Sequence, residues 1–309
     1  MTPGYEIKLG DCLTSLKTMA DQSVNCCVTS PPYFGLRNYG VDGQMGLEAT
    51  PEEFVSALVV VLREVRRVLS DDGTLWLNLG DTYANDGKWG GSSGGKHPKG
   101  LHGDTGVGRS KKTTGLPEKN LIGIPWRVAF ALQADGWILR QDIIWQKPNA
   151  MPESVGDRCT KSHEYVFLLS KSPKYFFDSA AIKEDAVKGA AGSSFNKGKT
   201  AEHQMGRSSS AERVEDGKRN RRSVWAVPTT PYKEAHFATF PPGLIEPCIL
   251  AGCPIGGTVL DPFGGSGTTA GVSVAHGRKA ILCELNPEYA ALVPSRVEAI
   301  IRSVHGDLV

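Results

Sequence analysis

Asp261-Pro262-Phe263-Gly264-Gly265-Ser266-Gly267-Thr268-Thr269 decides the fold. The run before it, Thr258-Val259-Leu260, reads as a short buried strand, and the run after it as a helix ending near His276-Gly277. Strand, glycine turn, helix is a unit in which backbone can approach a bound ligand closely. The following strand, Ala280 to Glu284, ends in an acid twenty positions after Gly264. In an open α/β sheet that is the place for a carboxylate accepting from ribose hydroxyls. An adenosine-bearing cofactor is therefore expected. A dinucleotide would set its pyrophosphate beside Asp261 and be repelled. S-adenosylmethionine carries an α-ammonium and a sulfonium, which an acid at the strand tip attracts. The turn also lacks the third glycine of the dinucleotide spacing.

Upstream, strand and helix signals alternate as in a doubly wound, mostly parallel, Rossmann-like sheet. Val24 to Val28 is a short buried strand. Thr50 and Glu53 form a capping box with Pro51 at the first helical position. Phe54, Leu58, Val61, Leu62, Val65, Val68 and Leu69 give an apolar face, which Asp71-Asp72-Gly73 is expected to stop. Further strands are predicted over Thr74 to Leu79, Trp137 to Trp145 and Tyr165 to Leu169, with a helix from Pro125 to Ala134. Two basic stretches interrupt the rhythm. Residues 86–119 carry seven basic against three acidic side chains, and residues 183–222 carry ten against six. Both read as loop insertions on one α/β domain.

The net charge of +2 on 309 residues is too small to indicate nucleic acid, so only these local patches argue for it. With 40% hydrophobic and 22% charged residues, a core can be buried. No apolar run is long enough to span a bilayer, and no export signal opens the chain. Seven cysteines without a CxxC pair suggest neither a zinc site nor a disulfide frame, so a reduced, cytoplasmic setting without metal is expected.

Ser30-Pro31-Pro32-Tyr33 follows the strand of Val24 to Val28. Two prolines fix two φ angles and remove two N–H donors, leaving a stiff corner that presents acceptors. The Ser30 oxygen and the Pro31 carbonyl suit both hydrogens of an exocyclic amine, drawing the nitrogen toward tetrahedral geometry and aiming its lone pair at a methyl group. Tyr33 adds a flat face.

Taken together, these motifs resemble the S-adenosylmethionine-dependent DNA amino-methyltransferases, which modify cytosine N4 or adenine N6. Ser-Pro-Pro-Tyr early and the glycine turn late resemble the β-class motif order. Gly10-Asp11-Cys12-Leu13, Ile144 to Asn149, His163-Glu164-Tyr165, Ser223-Val224-Trp225, His236 to Pro241 and Cys283 to Tyr289 resemble further family segments. The resemblance implies that Asp11, with Cys12 beside it, accepts from the cofactor adenine amine. Phe263 to Gly267 wrap the methionine portion, with Asp261 near its ammonium and Pro262, Thr268 and Thr269 flanking. Glu284 holds the ribose, and Phe240 and Leu285 complete the cofactor set. Ser30 and Pro31 hold the target amine, with Pro32 stiffening the corner and Tyr33 stacking on a base flipped from double-stranded DNA. Lys147, Lys197, Lys199, Arg207, Arg219, Arg221 and Arg222 are candidate phosphate contacts. The implied division is residues 1–178 as the catalytic half, 179–225 as a target-recognition region and 226–309 as the cofactor half. A homodimer is common in the family. Serine at the first motif position leans toward cytosine N4 and leaves adenine N6 open. The competing functions are a nicotinamide-dependent oxidoreductase, a DNA-binding module with a vestigial cofactor site, and an RNA or protein-amide methyltransferase.

Overall fold

The computed structural model describes residues 4–36, 39–84, 114–186, 217–229 and 240–306. In chain order these form β1 (Tyr5–Leu9), α1 (Cys12–Lys17), β2 (Val24–Thr29), α2 (Pro51–Val68), β3 (Leu69–Leu79), α3 (Ile124–Ala134), β4 (Ile138–Gln146) and β5 (His163–Ser170). There follow β6 (Glu184–Asp185), β7 (Lys218–Arg219), β8 (Val224–Ala226), α4 (Pro242–Gly252), β9 (Thr258–Asp261), α5 (Thr268–Ala275), β10 (Lys279–Glu284) and α6 (Pro287–His305).

One eight-stranded sheet has the order β1-β10-β9-β2-β3-β5-β4-β8. The first four pairings are parallel. β5 runs antiparallel between β3 and β4, and β8 pairs parallel to β4. The expected mostly parallel doubly wound sheet is thus present. Side chains alternate across it. Cys27, Leu75, Leu77, Phe167 and Leu260 face a core with Leu16 of α1, Phe54 and Leu58 of α2 and Val128 of α3. Cys26, Val28, Trp76, Leu168 and Val259 face the other, with Leu244 of α4, Val272 of α5 and Ile300 of α6. Cys26, Cys27 and Cys283 are fully buried free thiols.

The capping box is formed as expected: the Glu53 N–H donates to Thr50 Oγ1 at 3.2 Å and the Thr50 N–H to Glu53 Oε2 at 3.3 Å. Each fully buried apolar side chain of α2 contributes roughly 1.5–3 kcal/mol, against about 1 kcal/mol for a cap. The apolar face therefore holds the helix, and the cap sets where it starts. Its end differs from expectation. The backbone turns extended at Leu69, and Asp71-Asp72-Gly73 lies inside β3. Register slips there: Val24 pairs with Leu69 but Cys26 with Thr74. The extra residues form an irregular entry to the strand rather than a helix stop. The 183–222 stretch, which has no strand periodicity in sequence, contributes the two-stranded β6–β7 ribbon. The sequence-drawn division after residue 225 falls within β8, an integral strand of the main sheet.

From β9 the chain winds through α5 to β10 on one side. From β2 it winds through α2 to β3 on the other. The two meet as neighbours, Cys27 opposite Leu260. Such a reversal opens a crevice outside the carboxyl ends of the strands, where open α/β sheets bind ligands. Among the described residues, no helix is long and apolar enough to cross a membrane, and no cluster of three or more His, Cys, Asp or Glu side chains forms a metal-holding group.

Candidate active site

Strand direction brings the predicted motifs to one edge. Parallel β1, β10, β9, β2 and β3 end there. Because β5 is reversed, its first residues, His163 and Glu164, lie at the same edge, beside Gln146 at the end of β4. The edge reads in order: Asp11, Glu284, the glycine turn, Ser30-Pro31-Pro32-Tyr33, Gly80-Asp81, Glu164, Lys147. Neighbouring strands lie about 4.8 Å apart, so the glycine turn and the double-proline corner are adjacent.

Asp261 joins them. It is 1% exposed. Its Oδ1 accepts from Thr29 Oγ1 at 2.6 Å and from the Phe263 N–H at 3.0 Å, and its Oδ2 accepts from Thr269 Oγ1 at 2.6 Å. One carboxylate thus ties the residue before Ser30 to both ends of the glycine turn. The family resemblance places Asp261 near a cofactor ammonium; in the fold both of its oxygens are turned inward, onto Thr29, Phe263 and Thr269. Burial pushes the carboxyl up to about 6, against the pull of the Thr269 and Thr29 hydroxyls and the Phe263 N–H. Turned inward and buried, Asp261 sets no outward charge against a pyrophosphate at this turn.

Two of the glycines answer to packing. A Cβ on Gly264 would lie 2.8 Å from Leu282 Cβ, and one on Gly267, at φ +92°, 2.8 Å from Val293 Cγ1. At Gly265 the Cβ position is open space. The Gly265 N–H donates to Glu284 Oε2 at 2.7 Å, and the Asn286 N–H to Glu284 Oε1 at 2.8 Å. Burial raises the Glu284 carboxyl, opposed by these backbone donors. In the same turn the Ser266 and Thr268 hydroxyls are buried without a partner among the described residues. Orphaned hydroxyls beside an open glycine and an acid at the strand tip fit a polar ligand.

The remaining predicted cofactor residues divide. Asp11 stands next to Glu284, since the Gly10 N–H donates to the Glu284 carbonyl at 2.8 Å. It is exposed and caps α1, Oδ1 accepting from the Thr14 N–H and hydroxyl at 2.8 Å each. Cys12 packs against the core, and burial pushes its thiol up to about 12. Phe240 packs on the second core beside α4. Pro262 is buried and Leu285 half-buried beside the turn.

At the corner, Tyr33 differs from a free stacking face. Its hydroxyl donates to Glu164 Oε2 at 2.6 Å, with Asn78 Oδ1 a second acceptor at 3.2 Å, and Ser30 Oγ lies 3.5 Å away. Burial, then the Glu164 charge, raises the phenol well above its ordinary value. The ring lies so close to Gly80 that a Cβ there would sit 2.4 Å from Tyr33 Cε2. Asn78 Nδ2 donates to Glu164 Oε2 at 3.3 Å, and Lys147 pairs with Glu164 Oε1 over the Trp145 ring. Lys147 thus belongs to this cluster rather than to a phosphate grip. A small cavity beside it is lined by Tyr33, Phe34, Leu36, Gly80, Asp81 and Thr82, with Ile124. Asp81 accepts from the Gly123 and Ile124 N–H groups and so caps α3. Asn78, Gly80 and Asp81 do not stand out in the sequence. The signal available is an amide, a glycine and an acid at one strand's end.

The basic candidates are mostly engaged. Arg219 and Arg222 share Glu184 Oε1 at 2.9 and 2.7 Å. Arg221 stacks over Trp225 at 4.8 Å. Arg222, 65% exposed, reaches solvent. Lys197, Lys199 and Arg207 lie outside the described residues, as does most of the 86–119 insertion.

A family model described as DNA methylase matches residues 24–294. The Type II methyltransferase M.Cfr9I of Citrobacter freundii is 46% identical over 289 residues, covering 94% of this chain and 86% of its own. Two solved structures share the fold. PvuII DNA methyltransferase, described as cytosine-N4-specific, has a TM-score of 0.64 at 19% identity, covering 99% of this chain and 96% of its own. A putative DNA modification methylase from Thermus thermophilus, complexed with S-adenosyl-L-methionine, has a TM-score of 0.56 at 22% identity, covering 96% and 95%. With the family match running from β2 into α6, the chain belongs to the DNA methylase family of N6 and N4 methyltransferases.

Proposed function

We propose that this DNA methylase takes its methyl group from S-adenosylmethionine and places it on the N4 amine of a cytosine flipped from duplex DNA. The observation that carries the reading is the Thr29–Asp261 contact, which sets the amine-holding corner against the glycine turn. Glu284, Gly265, Ser266 and Thr268 would hold the cofactor, which when bound supplies an electrophilic methyl on a sulfonium. Ser30 Oγ and the Pro31 carbonyl would accept both amine hydrogens, so positioning and oriented dipoles do most of the work.

Cytosine rather than adenine is supported by the uncharged Ser30 and by the cytosine-N4-specific name of the PvuII relative in fold. Flipping costs a few kcal/mol. Residues 179–225, with Arg222 at their exposed end, are the proposed region that grips phosphates and reads the site. Incubation with methyl-labelled S-adenosylmethionine and mixed-sequence duplex, followed by digestion to nucleosides, tests this. Label in N4-methylcytosine is expected. Label in N6-methyladenine would overturn the base assignment, and no label in DNA would overturn the reaction.

A further inference from the structure

Behind Tyr33 lies a polar cluster whose direction is fixed by its chemistry. We infer that Glu164, supported by Lys147, orients a hydrogen-bond chain through Tyr33 to Ser30, keeping Ser30 Oγ an acceptor for the target amine and receiving the proton that amine gives up. The inference rests on the amine-methylation reading of the corner.

A carboxylate can only accept, and a phenol has one proton to give. Glu164 Oε1 is taken by Lys147. Its Oε2 draws the Tyr33 proton at 2.6 Å, a charge-assisted bond stronger than the alternative to the Asn78 amide oxygen at 3.2 Å. The phenol oxygen then has lone pairs left for Ser30, whose hydroxyl lies 3.5 Å away and donates toward it. With its only proton turned to Tyr33, Ser30 Oγ offers lone pairs to the substrate. Were the chain to run the other way, the Ser30 proton would point at the N–H hydrogens that Ser30 Oγ has to accept. The Tyr33 ring cannot swing away without leaving its seat on Gly80. Glu164 is thus a positioning residue for Ser30.

Each transfer also releases a proton. The amine nitrogen forms the new N–C bond with its lone pair, and the electrons of the broken S–C bond stay on sulfur. The nitrogen, now positive, is a strong acid. Its proton passes to Ser30 Oγ as the Ser30 proton moves to Tyr33 and the Tyr33 proton to Glu164 Oε2. Every oxygen along the path ends with the charge it began with except the carboxylate, which is neutralised and then loses the proton to water. Because the donor is so acidic, a carboxylate already paired with lysine suffices as acceptor.

The test compares Tyr33→Phe, Glu164→Gln and the double variant with the unaltered protein. Single-turnover methyl transfer should fall at least about tenfold in each single variant, the worth of a hydrogen bond to a charged group. Cofactor affinity and KM for DNA should stay within about twofold. The double variant should be no slower than the slower single, because both remove one chain. A second readout needs no turnover: the cofactor-free protein should show a downfield, slowly exchanging phenolic proton by NMR, absent in Tyr33→Phe and displaced in Glu164→Gln. An unchanged rate in Tyr33→Phe, multiplying losses in the double variant, or a phenolic signal indifferent to Glu164→Gln would overturn the inference. If Glu164→Gln does not fold, the Tyr33→Phe rate decides alone. Failure of the unaltered protein to methylate any duplex would instead strike the reading of the reaction, while the phenolic signal would still report the chain.

Discussion

Replacing Asp261 by asparagine should remove a specific pH dependence of stability. In the folded protein burial holds this carboxyl at about 6, whereas its ordinary value is 3.8. Between those limits the native state binds more protons than the unfolded one, so stability falls as pH rises. The contribution of the neutral carboxyl is complete below 3.8 and is lost as pH passes about 6. At 1.36 kcal/mol per pH unit, the interval amounts to about 3 kcal/mol. Asparagine preserves the shape and the Oδ1 acceptor for Thr29 and Phe263, and its amide donates to Thr269 in place of accepting. It cannot ionise. Urea unfolding of both proteins at pH about 4 and about 7 measures the difference. The stability of the natural protein relative to Asp261→Asn should drop by up to about 3 kcal/mol across that interval. Parallel curves, or a relative stability that rises with pH, would refute a buried, desolvated Asp261 and with it the clamp between the two turns.

Gly80→Ala places a methyl 2.4 Å from Tyr33 Cε2, so the ring must leave its seat. Methyl transfer should fall by about tenfold or more while cofactor binding, measured by calorimetry, is unchanged. Glu284→Ala leaves the Gly265 and Asn286 N–H groups without their acceptor. Cofactor affinity should weaken first, by about 1–3 kcal/mol, as titration calorimetry would record. Arg222→Ala should lower the salt slope of DNA binding by about one, whereas Arg221→Ala, which strips the cover from Trp225, should lower the melting temperature and leave the slope alone.

Local signals carried most of the architecture. The capping box at Thr50, the i, i+4 spacing from Phe54 to Leu58 to Leu62 and the strand–turn–helix around Gly264 are each written within a few consecutive residues. What escapes sequence reading is set by partners far along the chain. Asp261 at a strand tip looks available to a ligand until Thr29, 232 positions away, is seen to occupy it. Tyr33 reads as a free ring because Glu164, 131 positions on, is invisible from the motif. Lys147, Arg219 and Arg221 count as basic in a tally, yet Glu164, Glu184 and Trp225 engage them in the fold. Asp71-Asp72-Gly73 is a turn signal by composition, and its place in β3 follows from the pairing with β2 on either side of it, at Leu69 and from Thr74 onward. Sequence reading gives all the glycines of the cofactor turn one purpose, room for a ligand. Gly264 and Gly267 make room for Leu282 and Val293, and of these three glycines Gly265 alone has open space at its Cβ position.

In the proposed reaction the double-proline corner and the glycine turn are two halves of one methyl-transfer site acting on DNA. Expression of the chain in a host devoid of DNA methylation, followed by single-molecule sequencing of that host's genome, decides whether they are. N4-methylcytosine at every occurrence of one short sequence is predicted, with the mark gone in a Ser30→Val variant. A genome without any modified amine, from cells that accumulate the folded, cofactor-binding protein, would contradict it.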